Sequence, residues 1–141
     1  NLNCQGLNRA MALPKVLFAK YGEASEVYIP TVNAGDKTKS ARMFQTITPY
    51  AVKYNLDINS NYGTEDYKHI SKDVFQQKGT VVLCWEHNAI SHLAKALGVQ
   101  GNIRDWPDSD VDSIWIITYK NGVATLTADK EGLNPSANCA F

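Results

Sequence analysis

The stretch GTVVLCWEHNAISHLAKALG, which spans Gly79 to Gly98, contains a change of hydrophobic pattern that decides the fold. Its first part, TVVLCW, is apolar and rich in β-branched residues, which predicts a central strand covered on both faces. Its last part, AISHLAKAL, follows Asn88 with helical spacing, and Gly98 is well placed to end that helix. A buried strand that leads directly into a helix is typical of α/β proteins.

The segments before this stretch alternate between helical and extended patterns. Apolar residues recur at helical spacing over Leu7–Tyr21, where Pro14 predicts a kink. The run EVYIP, Glu26–Pro30, predicts a short strand, and the polar segment TVNAGDKTKS predicts a connection. A second helix is predicted over Ser40–Tyr54, with Ser40 as its cap and a bend near Pro49.

The remaining segments complete the alternation. DINSNYG predicts a loop, and EDYKHISKDVFQQ predicts a helix that stops before Gly79. Asn121-Gly122 between SIWIITYK and VATLTAD is a strong signal for a type I′ hairpin. The 141 residues therefore predict one α/β domain, residues 1–141, with a layered, mostly parallel sheet flanked by helices and a late β-hairpin.

The charges of the chain balance, with 14 basic and 14 acidic side chains. This balance gives no overall attraction to nucleic acid or to an anionic membrane, so any charged ligand must be bound locally. No apolar run approaches the ~20 residues that span a bilayer. The chain begins at Asn1 and without a signal-peptide pattern, from which we expect that an upstream segment was removed. Cytoplasmic and secreted locations both remain open.

The three cysteines allow at most one intrachain disulfide. Cys4 and Cys139 lie near opposite ends of the chain, and a disulfide between them requires an oxidising compartment. Two free thiols are an equally good interpretation of these positions. Cys84 lies within the apolar run VVLCW and is predicted to be a buried small hydrophobe.

His87 stands at the junction between the predicted strand and the helix that follows it. Polar groups at the carboxyl end of a buried strand lie where open α/β sheets usually bind ligands. The N–H groups and the dipole at the start of the helix favour an anion. His87 and Asn88 are therefore candidate ligand-binding residues, although a strand-end histidine is more often structural.

Two motifs, in a fixed order, carry a resemblance to a known family. The first is S-x-R-x-x-Q-T over Ser40–Thr46, and the second is E-H-x-x-I over Glu86–Ile90. The runs GLNRAMALPKVL and DWPDSDVDSIWIITYKNG extend the match over nearly the whole chain. Together they resemble the histidine phosphatase (phosphoglycerate-mutase-like) superfamily, in the style of a fungal or bacterial branch.

The resemblance implies transfer of a phosphoryl group to an enzyme histidine, with cations and hydrogen-bond donors around the phosphate oxygens. Arg42 matches the second pocket arginine of the family, whose guanidinium grips two oxygens. His87 matches the second pocket histidine, which donates to the phosphoryl group. An ordinary surface arginine and a structural histidine are the competing interpretations. Glu65, Asp66 and Glu86 are candidates for the proton donor, although an acidic residue without a catalytic role is more common at a helix start.

The sequence lacks the Arg-His-Gly or Arg-His-Ala strand with which the family begins. The histidine of that motif is the nucleophile, and the arginine is the first phosphate clamp. Neither His69 nor His92 matches the position of the nucleophile, so we expect no phosphatase turnover. A sheet without this strand has an open slot, which an upstream segment, a rearranged strand order or a second copy of the chain in a homo-oligomer would fill.

Other residue clusters do not match a metal site. The four aspartates between Asp105 and Asp112 lack the glycine and the final glutamate of an EF-hand loop. His87 and His92 lack the i, i+4 spacing of a helical zinc pair. The sequence therefore predicts no metal and no cofactor.

Two functional classes fit these observations. The first is a non-catalytic histidine-phosphatase-like protein that binds phosphate or another anionic ligand through Arg42, His87 and Asn88, with a role in recognition, defence or toxicity. The second is a phosphomonoesterase with a phosphohistidine mechanism, whose catalytic N-terminal strand is missing from this chain and whose acid would be Glu65 or Glu86. We favour the first class.

Overall fold

A computed structural model describes residues 1–33 and 35–141 of the chain. The predicted connection TVNAGDKTKS includes residue 34, which lies outside the described residues. Helices and strands alternate up to the hairpin, as the sequence predicts except at the segment DINSNYG. In chain order they are α1 (Cys4–Tyr21), β1 (Ala24–Pro30), α2 (Ala41–Tyr54), β2 (Ile58–Tyr62), α3 (Tyr67–Val74), β3 (Thr80–Leu83), α4 (His87–Ala96), β4 (Ser113–Lys120) and β5 (Val123–Lys130).

β1 is the central strand of a parallel sheet with the order β2-β1-β3. Val27 in β1 is paired with Ile58 of β2 on one side and with Val82 of β3 on the other. The four residues of β3 are only half-buried, and among the described residues β3 pairs with β1 alone. The prediction that TVVLCW is the central strand is therefore wrong, because the buried strand β1 takes that place and leaves β3 at an edge.

Helices cover both faces of this sheet, which confirms the predicted layered α/β architecture. Val27 and Ile29 of β1 face α1 and α2, where they pack with the cluster that includes Leu13 and Ile47. Tyr28, on the other face, packs with residues of α3 and α4. Because neighbouring residues of a strand point to opposite faces, β1 contributes to both cores.

α1 begins at Cys4, and not at Leu7 as predicted, because the residue before it caps the helix. The side-chain Oδ1 of Asn3 accepts a hydrogen bond from the backbone N–H of Gly6 at 2.8 Å. The helix continues through Pro14. No helix in residues 1–33 and 35–141 is long and apolar enough to cross a membrane.

Two local predictions are wrong. Ser40 makes no side-chain capping bond and has a φ of 57°, so it does not cap α2 as predicted. Ile58–Tyr62, part of the predicted loop DINSNYG, forms β2 and pairs with β1. The backbone N–H of Thr31 also donates to the carbonyl oxygen of Tyr62 at 2.8 Å. Pairing with a buried strand here outweighs the polar composition of the segment.

β4 and β5 form the predicted antiparallel hairpin, in which all eight residues of each strand are paired. Asn121 and Gly122 at its turn both have positive φ, at 51° and 76°, as a type I′ turn requires. Ile114 packs against the core on the α1 and α2 side, and Ile117 packs against the core on the α3 and α4 side. The hairpin therefore contacts both layers of helices.

Cys4 and Cys139 form a disulfide, with their Cα atoms 5.1 Å apart. Next to the disulfide, the side-chain amide of Asn8 donates to the carbonyl oxygens of Ser136 and Asn138, each at 2.8 Å. The C-terminal segment is thereby held along α1. Cys84 is a free, half-buried thiol, and burial raises its pKa to about 12.

Candidate functional site

The carboxyl ends of β1 and β3 lie side by side, since the two strands are parallel neighbours. β1 leads to α2 on one face of the sheet, and β3 leads to α4 on the other. Open parallel sheets bind ligands at such a reversal of direction. His87 is the first residue of α4 and lies at this edge, so its predicted position at a strand-to-helix junction is confirmed.

Two open clefts adjoin the start of α4. The first, of about 430 Å³, is lined by Glu65, Glu86 and Asn88, together with the aromatic ring of Tyr67. The second, of about 370 Å³, is lined by His87 and Asn88 and by the segment that follows α4. The structure therefore brings four of the predicted site residues to one edge of the domain.

His87 contacts a carboxylate that the sequence did not single out as part of the site. Its Nε2 atom lies 2.8 Å from Oδ1 of Asp108. The His87 side chain is 30% exposed, whereas that of Asp108 is 89% exposed. Asp108 is one of the four aspartates that do not match a calcium loop, and no spacing rule connects it to His87, because only the path of the chain after α4 brings the two together.

No side chain caps the backbone N–H groups in the first turn of α4 within the described residues. Glu86 is the residue that precedes the helix, and its side chain caps none of the helix N–H groups in the described part of the chain. The Glu86 carboxylate instead accepts a hydrogen bond from the side-chain amide of Asn88 at 3.3 Å. The N–H groups at the start of α4 can therefore serve an incoming oxygen atom.

His92 lines both clefts, although its sequence spacing excluded it as a nucleophile. Its ring packs against that of Tyr67, with centroids 5.7 Å apart. Burial raises the pKa of Tyr67, and the negative charges of Glu65 and Glu86 raise it further. The Tyr67 hydroxyl therefore stays protonated at neutral pH and can donate a hydrogen bond in the first cleft.

Carboxylates dominate the charge of the clefts. Glu65 and Glu86 line the first cleft, Asp105 and Asp108 line the second, and no lysine or arginine lines either one among the residues described. Uncompensated carboxylates repel an anion and attract a cation. Anion binding here therefore requires an additional cation or the departure of a carboxylate.

Arg42 is the cation that the motif predicts, and the structure does not bring it into contact with His87. It lies exposed in the first turn of α2, in the connection that leaves β1. Within residues 1–33 and 35–141 its side chain forms no ion pair with a carboxylate. Arg42 and His87 thus belong to connections that leave the same edge of the sheet toward opposite faces.

Metal binding and known relatives add no further assignment. The described residues contain no group of three His, Cys, Asp or Glu side chains arranged to hold a metal ion. Of the predicted site residues, Glu65, Glu86, His87 and Asn88 line the clefts, while Arg42 lies in the neighbouring connection.

Comparison of the chain with models of protein families, with curated proteins and with solved structures gives no match.

Proposed function

We propose that this chain is a non-catalytic histidine-phosphatase-like protein that binds a small anionic ligand, such as phosphate or a phosphate ester. The ligand would lie at the edge where β1 and β3 end. The observation that carries the proposal is the 2.8 Å contact between His87 Nε2 and Asp108 Oδ1, in which a carboxylate oxygen already lies against this histidine. The uncapped first turn of α4 favours negative charge at the same place.

Arg42 supplies the positive charge that the clefts themselves lack. Its side chain is exposed and unpaired within the described part of the chain, so binding an anion breaks no existing ion pair. A guanidinium can contact two phosphate oxygens at once. An anion held between Arg42 and His87 would therefore bridge the two connections that leave this edge.

The positions of the other two histidines of this chain favour a binding role. His69 lies on the exposed side of α3, with Nδ1 2.6 Å from Oδ1 of Asp66, and it lines neither cleft. His92 packs against Tyr67, next to His87 on the same helix. A phosphohistidine mechanism requires an imidazole nitrogen on the side of the phosphorus opposite the leaving group, in line with the bond that breaks.

A phosphomonoesterase that is completed by a further strand is the second candidate. The observation that favours it is the outer edge of β3, which pairs with no strand among the described residues. The unpaired N–H and C=O groups of such an edge can accept another strand. An upstream segment with the family nucleophile would give an enzyme, whereas a second copy of this chain would give a homo-oligomer without that nucleophile.

Replacing Arg42 with alanine is expected to weaken phosphate binding by about 10- to 100-fold, the effect of losing a hydrogen-bonded charge. Titration with inorganic phosphate, followed by calorimetry or NMR, measures this change. Lys53→Ala is the matched control, because it removes a cation from the other end of the same helix. Equal affinity of the Arg42→Ala variant and the unaltered protein would show that Arg42 is not part of the site.

An assay with para-nitrophenyl phosphate tests what both candidates assume of the 141-residue chain, namely that it carries no nucleophile of its own. The non-catalytic proposal expects no hydrolysis by the 141-residue chain. Hydrolysis that disappears in both Arg42→Ala and His87→Ala would overturn the non-catalytic proposal, because it would show that a residue of this chain acts as the nucleophile.

A further inference from the structure

The segment between α4 and β4, residues 97–112, places a carboxylate of the protein itself against the candidate anion site. We infer that Asp108 is an internal competitor, which occupies the His87 side of the site and must leave before an outside anion binds there. This inference rests on the proposed function, because it concerns the regulation of the same site.

The base of this segment is held firmly, so the position of Asp108 is defined. The indole N–H of Trp106 donates to the backbone carbonyl oxygen of Asp110 at 2.8 Å. The Asp110 carboxylate accepts from the backbone N–H of Ser113 at 2.9 Å, and the ring of Trp106 packs 5.1 Å from that of Trp115. Asp108 lies between Trp106 and Asp110 and is therefore directed at His87 by a constrained turn.

Asp108 itself is easily displaced. Its side chain is 89% exposed, and His87 is the one basic side chain that it contacts within residues 1–33 and 35–141. Exposed ion pairs contribute little, because water and salt screen them. Phosphate carries more negative charge than a carboxylate and, in the proposed site, also contacts Arg42, so it can replace Asp108 at His87.

Departure of Asp108 changes the charge of the second cleft as well as freeing His87. Asp105 stays in place, because its carboxylate accepts a hydrogen bond from the hydroxyl of Ser91 in α4, at 3.4 Å. The titratable side chains left near His87 are then Asp105, Glu86 and His92. Removal of the charge of Asp108 should therefore favour an anion through less repulsion and through the loss of competition.

Asp108→Asn is expected to tighten the binding of inorganic phosphate by about three- to ten-fold, the range set by a weak exposed ion pair and by reduced repulsion. Calorimetric titration at constant ionic strength measures the change. Asp57→Asn is the matched control, because it removes one exposed carboxylate outside the clefts. This control should leave the affinity within two-fold of that of the unaltered protein.

NMR gives a second measurement that does not depend on affinity. In the unaltered protein, phosphate should shift the backbone amide signals of Asp108 and Ser109 as the side chain of Asp108 turns away from His87. Without phosphate, the signals of the His87 ring in Asp108→Asn should differ from those in the unaltered protein, because the ring no longer contacts a carboxylate. Backbone amide signals elsewhere in Asp108→Asn and Asp57→Asn that match those of the unaltered protein will show that both variants keep the fold.

The outcomes separate this inference from the proposed function. Unchanged or weaker phosphate binding by Asp108→Asn, with binding still lost in Arg42→Ala, overturns the internal competitor and leaves the anion site standing. Phosphate binding by neither the unaltered protein nor Asp108→Asn overturns both. Binding by Asp108→Asn alone supports both, with Asp108 as a stronger competitor than we infer.

Discussion

Replacing both Cys4 and Cys139 with serine is expected to lower the free energy of unfolding by about 3–5 kcal/mol. The disulfide joins residues that are 135 positions apart, and a long closed loop restricts the unfolded chain most strongly. Denaturant unfolding of the oxidised protein and of the double-serine variant, both without reductant, measures the loss.

The free thiol provides the control for this experiment. Cys84→Ala removes a cysteine outside the disulfide, and it should cost less than the double replacement. The unaltered protein in a dithiol reductant should unfold like the double-serine variant, because its Cys4–Cys139 bond is reduced to two thiols. Unfolding of the reduced and oxidised proteins at the same denaturant concentration would contradict the expected stabilisation.

Replacing Glu131 with alanine is expected to cost about 3–5 kcal/mol, because it leaves the charged guanidinium of a buried ion pair without hydrogen-bond acceptors. The guanidinium of Arg9 contacts both oxygens of Glu131, with Nε donating to Oε2 at 2.6 Å. The side chains of Arg9 and Glu131 are only 20% and 5% exposed. Denaturant unfolding at neutral pH measures the loss.

A double replacement tests whether the cost arises from the unpaired charge. Arg9→Met combined with Glu131→Leu should recover most of the stability lost in Glu131→Ala, because apolar side chains of similar size can replace a buried ion pair at little cost. If the double variant is as unstable as Glu131→Ala, the loss arises from packing and not from the charge left behind.

The pH dependence of stability gives Glu131 a distinct signature. Burial raises the pKa of Glu131 above its ordinary value, although the Arg9 charge opposes the shift. A carboxyl group with a raised folded-state pKa contributes stability that is fully present below its unfolded pKa and is lost as pH rises through the folded pKa. The unaltered protein should therefore lose this contribution as pH rises from about 4, whereas Glu131→Gln should not. Parallel stability curves for the two proteins would contradict the assignment.

The sequence predicts those parts of the fold that depend on local chemistry. Asn121-Gly122 defines its turn through backbone angles that few other residue pairs adopt, and the predicted hairpin is confirmed. The order of strands depends on contacts between distant segments. TVVLCW is apolar enough for a central strand, yet β1 takes that place. Ile58–Tyr62 is polar enough for a loop, yet it pairs with β1.

In the candidate site, too, local sequence predicts some features, while others depend on contacts between distant segments. His87 could be placed from sequence, because a strand that leads into a helix fixes its junction residue at the edge of the sheet. Asp108 could not be assigned to His87, because their contact depends on how the chain returns after α4. The motif with Arg42 predicts a shared pocket, while the structure gives only a shared edge. That a bound anion contacts both Arg42 and His87 remains a prediction.

The link between Cys4 and Cys139 also determines what a single cut by a protease would produce. Every peptide bond between these residues lies within a ring that the sulfur atoms close. A nick at the exposed Asn121-Gly122 turn would therefore give a two-chain form whose pieces, residues 1–121 and 122–141, stay covalently attached until a reductant separates them. Gels run with and without reductant would thus report different sizes for the same nicked molecule.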